Sequence, residues 1–113
     1  MSWDARLTDD RGHSEGDWNH THNTAQMIYA TLSDDNEYQL DEKESWYNRL
    51  DGMSGPEGSD YIERIIGGLV SDPERFRAMN PSNGWGDYDS LVKVLKEMRN
   101  AVPGWPTTWG ASG

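Results

Sequence analysis

Twelve of the 113 residues are aromatic, six of them Trp, in a chain whose apolar residues total only 34%. So few aliphatic side chains place the sequence near the regime in which a chain cannot bury enough surface to offset its conformational entropy. The aromatics pull the other way, since each ring buries about 150–250 Å². A few large rings can therefore replace many aliphatics in a small core, and a folded single domain spanning 1–113 is expected.

Charge narrows the function classes. Twenty Asp and Glu against ten Lys and Arg give a formal net charge of -10. Binding to DNA or RNA backbones, which requires Lys and Arg to neutralise phosphate, is not expected. No run approaches the roughly 18 apolar residues of a spanning helix, so no membrane association is expected. The absence of Cys excludes a disulfide scaffold and a thiol nucleophile. The opening Met1-Ser2-Trp3-Asp4 has neither a basic nor an apolar leader region, so no signal peptide is expected. Acids concentrate early: residues 1–51 carry twelve acids against four bases, residues 52–113 eight against six.

Periodicity predicts a mainly α fold, a small helical bundle with room for one short N-terminal hairpin. Tyr88, Leu91, Val92, Leu95, Met98 and Val102 recur at three- and four-residue spacing, predicting a helix over 87–100 capped by Asp87. A second stripe, Tyr61, Ile62, Ile65, Ile66, Leu69 and Val70, predicts a helix over 59–71. Its Gly67-Gly68 pair implies either close helix–helix contact or early fraying. Asp72-Pro73-Glu74 restarts a short helix carrying Phe76 and Met79 inward. Further helical segments are expected over 24–32 and 44–50. Residues 1–16, weakly alternating, and 103–113, rich in Pro and Gly, are expected as extended or loosely packed termini.

Two polar–aromatic clusters precede helices. One is Asp17-Trp18-Asn19-His20-Thr21-His22-Asn23-Thr24; the other is Asn80-Pro81-Ser82-Asn83-Gly84-Trp85-Gly86-Asp87-Tyr88. Helix N-termini offer free N–H donors, an Asn amide both donates and accepts, and a Trp face stacks on planar groups. This pattern predicts a site for a small polar or planar ligand, nucleotide-like ones included. Asn19, Thr21, Asn23, Asn83 and Asp87 would orient it, with Trp18 or Trp85 as the stacking surface. The same residue types also serve as ordinary caps and turns, and the two Trp rings as core plugs.

Other chemistry is less well marked. His20 and His22, with His13 and Asp17 nearby, are weak candidates for a divalent metal site and hence a metal-dependent hydrolase. The H-E-x-x-H pattern, the G-x-S-x-G elbow and the phosphate loop are all missing from the sequence. No catalytic residue and no cofactor is assigned, and a non-enzymatic binder is the expectation. The rival is an acidic module that engages a host or phage protein, with Trp105 and Trp109 either anchoring a partner or folding back on the core.

The segments Trp18-Asn19-His20-Thr21-His22-Asn23, Leu50-Asp51-Gly52-Met53, and Asp72 through Tyr88 resemble a family of small proteins found in actinobacterial phages, prophages and bacteria. The resemblance covers about residues 17–102, and its most specific part is the N-P-x-N-G-W-G-x-Y block at 80–88. It implies a phage-related accessory protein acting in the bacterial cytoplasm and carries no catalytic role. The acidic start and the Trp-bearing tail lie outside the pattern.

Overall fold

A computed structural model describes residues 2–35, 38, 40 and 44–113. Strand β1 (Ser2–Asp9) alternates Trp3, Ala5 and Leu7 with Asp4, Arg6 and Thr8, so one face is apolar and buried and the other polar. Strand β2 (Ser14–Thr21) returns antiparallel to it, pairing Ala5 with Trp18 and Trp3 with His20. The turn between them is held by the Asp9 carboxylate, which accepts from the N–H of Arg11 at 2.9 Å and of His13 at 2.8 Å. A 3-10 turn (His22–Thr24) leads into α1 (Ala25–Ser33). Then follow α2 (Trp46–Leu50), α3 (Gly55–Ser71), α4 (Pro73–Arg77) and α5 (Tyr88–Asn100). Strand β3 (Thr107–Ser112) closes the order.

The sheet runs β2-β1-β3, all antiparallel. Among the described residues 49% are helical and 22% lie in strands, which overturns the expected mainly α bundle in favour of a mixed α/β fold. The reason is physical. The strands are short, β2 contributes only Trp18 as an apolar side chain, and β1 finds β3 from the opposite end of the sequence. Residues 1–16 and 103–113, expected as extended or loosely packed termini, supply the middle strand and one edge of the sheet. Trp3, Leu7 and Trp109 are fully buried there.

Helices cover one face of this sheet. The stripes of α3 and α5 pack on each other, α1 lies against α3, and their apolar residues join Trp3, Leu7 and Trp109 in one core, except Val70, expected on the α3 stripe but 45% exposed. Helix α3 begins four residues before the expected start. Ser54 accepts from the Glu57 N–H at 3.2 Å, and Pro56 fits the first turn because its absent N–H would be unpaired there. Gly68 meets α1 closely: a Cβ on it would lie 2.8 Å from Thr31, whereas Gly67 faces open space. The buried Tyr hydroxyls are satisfied by backbone, Tyr61 donating to Trp46 O at 2.9 Å and Tyr88 to Leu69 O at 2.8 Å. Trp109 donates from Nε1 to Gly55 O at 3.1 Å. Among the described residues no helix is long and apolar enough to cross a membrane.

Candidate functional site

The two polar–aromatic segments meet at Gly86. A Cβ on this residue would lie 2.5 Å from Thr21 Cγ2, 3.4 Å from His20 Nε2 and 3.5 Å from Thr24 Cγ2. Gly84 and Gly86 both have positive φ, 73° and 83°. The loop turns twice through the left-handed region, which glycine enters without steric cost. These two turns carry Trp85 outward, where it is 68% exposed.

The polar side chains around this junction are largely occupied by neighbouring backbone. Thr21 Oγ1 accepts from Asn23 N at 3.1 Å, and Thr24 Oγ1 donates to Thr21 O at 3.4 Å. Asn83 Oδ1 accepts from Trp85 N at 2.9 Å, closing an Asx turn. Asn80 Oδ1 accepts from Tyr88 N at 2.8 Å. Asp87 and Ser90 form a reciprocal cap: Asp87 Oδ1 accepts from Ser90 N at 2.7 Å, and Ser90 Oγ accepts from Asp87 N at 3.0 Å. The Ser90 N–H, helped by its hydroxyl, holds the Asp87 carboxyl below the usual carboxylate range.

Strand alternation separates the other residues expected to share the site. Trp18 points inward, half-buried, with its ring 5.7 Å from that of Trp109. It belongs to the core layer. Asn19 points to the opposite face and ties β2 to β1, its Nδ2 donating to Ser2 Oγ and Asp4 Oδ1, each at 2.9 Å. Asn23 is exposed on the 3-10 turn. Trp85 is thus the aromatic surface that remains on offer at the junction.

The histidines serve different surroundings. His20 packs against Trp3, with ring centroids 6.1 Å apart, and burial lowers its pKa against an opposing pull from Asp87. Its Nε2 is buried without a hydrogen-bond partner among the described residues. His22 stands against Tyr47, and His13 lies in the hairpin turn, 3.6 Å from Asp9. Among the described residues no group of three His, Asp or Glu could hold a metal ion.

The uncovered face of the sheet forms an open trough of about 520 Å³ that the sequence reading did not single out. Asp4, Arg6, Asp17, Asn19 and Asp51 line it. Its signal was the polar half of the β1 alternation. The trough's charged groups have partners in place: Arg6 Nε donates to Asp17 Oδ1 at 2.9 Å, and Asp51 Oδ1 accepts from the backbone N–H of Ala111 at 2.9 Å. Arg6 holds the Asp17 carboxyl below its ordinary value.

No family model matches the chain, and no curated protein or solved structure matches it.

Proposed function

We propose that the protein is a non-catalytic, acidic interaction module that grips a basic protein partner with Trp85. One observation carries this reading: a large aromatic ring, 68% exposed, stands on a loop fixed by the Asn83 turn, two left-handed glycines and the Asp87–Ser90 cap. Aromatic anchors dominate binding energy at protein interfaces, and a preorganised loop loses little entropy when it binds. The net charge of -10 steers basic partners toward the molecule. The small-ligand reading is the weaker one, because Thr21, Asn83 and Asp87 spend their polar atoms on caps and turns and Trp18 turns into the core. The bacterial cytoplasm, with a host or phage-encoded protein as partner, is the setting implied by the motifs over 17–102.

Affinity capture on the immobilised protein tests the reading, with Trp85→Ala as the comparison and both forms matched by thermal melting. A partner retained by the natural chain, lost with Trp85→Ala and weakened by salt supports it. Identical retention by both forms overturns it.

A further inference from the structure

The two edges of the sheet are finished differently. On the β3 side, Trp109 N donates to Met53 O and Gly52 N donates to Trp109 O, both at 2.8 Å, and Asp51 takes the Ala111 N–H. That edge is closed by the segment before α3. These bonds also fix the phase of the ladder. Trp109 and Ala111 turn their backbone groups away from β1, so the alternation of an antiparallel sheet directs Thr108, Gly110 and Ser112 toward Thr8, Arg6 and Asp4. Trp3, Ala5 and Leu7 must then bond toward His20, Trp18 and Gly16. The N–H and C=O groups of Asp17 and Asn19 are left pointing outward from the β2 edge. Among the described residues none bonds to them there.

Natural edges are blunted with Lys, Pro, bulges or a covering element. Residues 16–20 of β2 contain neither Lys nor Pro, and the one register shift falls earlier, opposite Leu7 and Thr8. The geometry points to a strand-addition site: an extended, basic segment of a protein partner pairs with β2 through Asp17 and Asn19 and ends beside Trp85. This rests on the proposed role of Trp85, whose loop abuts the last residue of β2 through Gly86 and Thr21.

Charge selects the occupant. Glu15, which accepts from Trp105 Nε1 at 2.9 Å, and Asp17, paired with Arg6, lie on β2 and Asp87 at its far end, so one Arg answers three carboxylates. A second copy is the poorer fit, because self-pairing brings the Glu15 and Asp17 carboxylates of both chains to one seam between molecules of net charge -10. Partner residues opposite Asp17 and Asn19 share their outward face and suit Lys or Arg. Those opposite Trp18 and His20 face inward, where α5 packs against β2, and suit apolar side chains.

A peptide of about ten residues alternating Lys and Val, the upper end of ordinary strand length, is the probe. Amide hydrogen exchange and titration are the readouts. Binding should slow exchange at the Asp17 and Asn19 amides by about tenfold or more. N-methylation at the Lys positions, whose N–H groups face β2, should weaken binding by about tenfold or more, while methylation at Val should leave it. A peptide that fails to bind, that leaves both amides unprotected, or that binds equally when Lys-methylated overturns the proposal. Trp85→Ala separates the two readings. Protection at β2 that survives this change leaves strand addition standing without the Trp85 anchor. Binding that depends on Trp85 with no protection at β2 does the reverse.

Discussion

Gly86 and Thr21 touch so closely that a Cβ on the glycine would sit 2.5 Å from the threonine methyl. That contact locks the Trp85 loop to the end of β2. Gly86→Ala would introduce both this clash and an unfavourable positive φ of 83°, costing about 1–3 kcal/mol. Gly84→Ala carries the same kind of φ, 73°, but nothing lies within 4 Å of its Cβ, so it should cost about 1 kcal/mol. Urea denaturation of the two variants checks the order; equal losses would mean that the Thr21 contact contributes nothing.

Trp85→Ala removes a ring held mostly in solvent. Its effect on stability should stay within about 0.5 kcal/mol, while the fluorescence lost should come from the red, water-exposed part of the emission. A melting temperature several degrees lower would show that the ring packs against the fold.

Trp109 is the opposite case. It is 1% exposed, donates to Gly55 O at 3.1 Å, and its ring fills the space beside Gly58, where a Cβ would lie 2.1 Å away. Trp109→Ala should cost about 3–5 kcal/mol, a large part of a small domain's stability. Deleting residues 107–113 should be at least as damaging, because it also removes every β1–β3 pairing. Circular dichroism and denaturant titration read both.

Acid should destabilise the fold in two steps. The folded pKa of His20 is lowered from 6.5 by burial, so the unfolded chain takes up the proton first. Stability is therefore full above about pH 6.5 and declines as pH falls toward the folded value. His20→Gln should flatten that decline. At lower pH the carboxyls of Asp9, Asp17 and Asp87, all held below 3.8 by hydrogen bonds to His13, Arg6 and Ser90 respectively, lose their contribution as pH falls through their folded values. Denaturant midpoints measured from pH 8 to pH 3 check both steps.

Helix α5 is legible because everything that makes it is local: Leu91, Val92, Leu95 and Met98 share one face, and Asp87 caps the first turn. The start of α3 is hidden by Gly55-Pro56, which reads as a breaker until Ser54 is seen to cap it. The sheet is hardest to read. The alternation of Trp3, Ala5 and Leu7 is weak enough to leave room only for a short hairpin, and nothing near it names Trp109 as its neighbour. The candidate site divides along the same line. Adjacent strand residues point to opposite faces, so Trp18 and Asn19, neighbours in the sequence, cannot serve one pocket.

The middle strand of the sheet comes first in the chain and its second partner comes last, Thr8 meeting Thr108 across a hundred residues. As the polypeptide emerges from the ribosome, β1 and β2 are made long before β3, so Trp3 and Leu7 lack their β3 neighbours until Trp109 has been made. Folding should accordingly be slow for a protein of this size, since distant pairings raise the loop-closure barrier. Joining the start of β1 to the end of β3, where Asp4 pairs with Ser112, and opening the chain elsewhere should speed it.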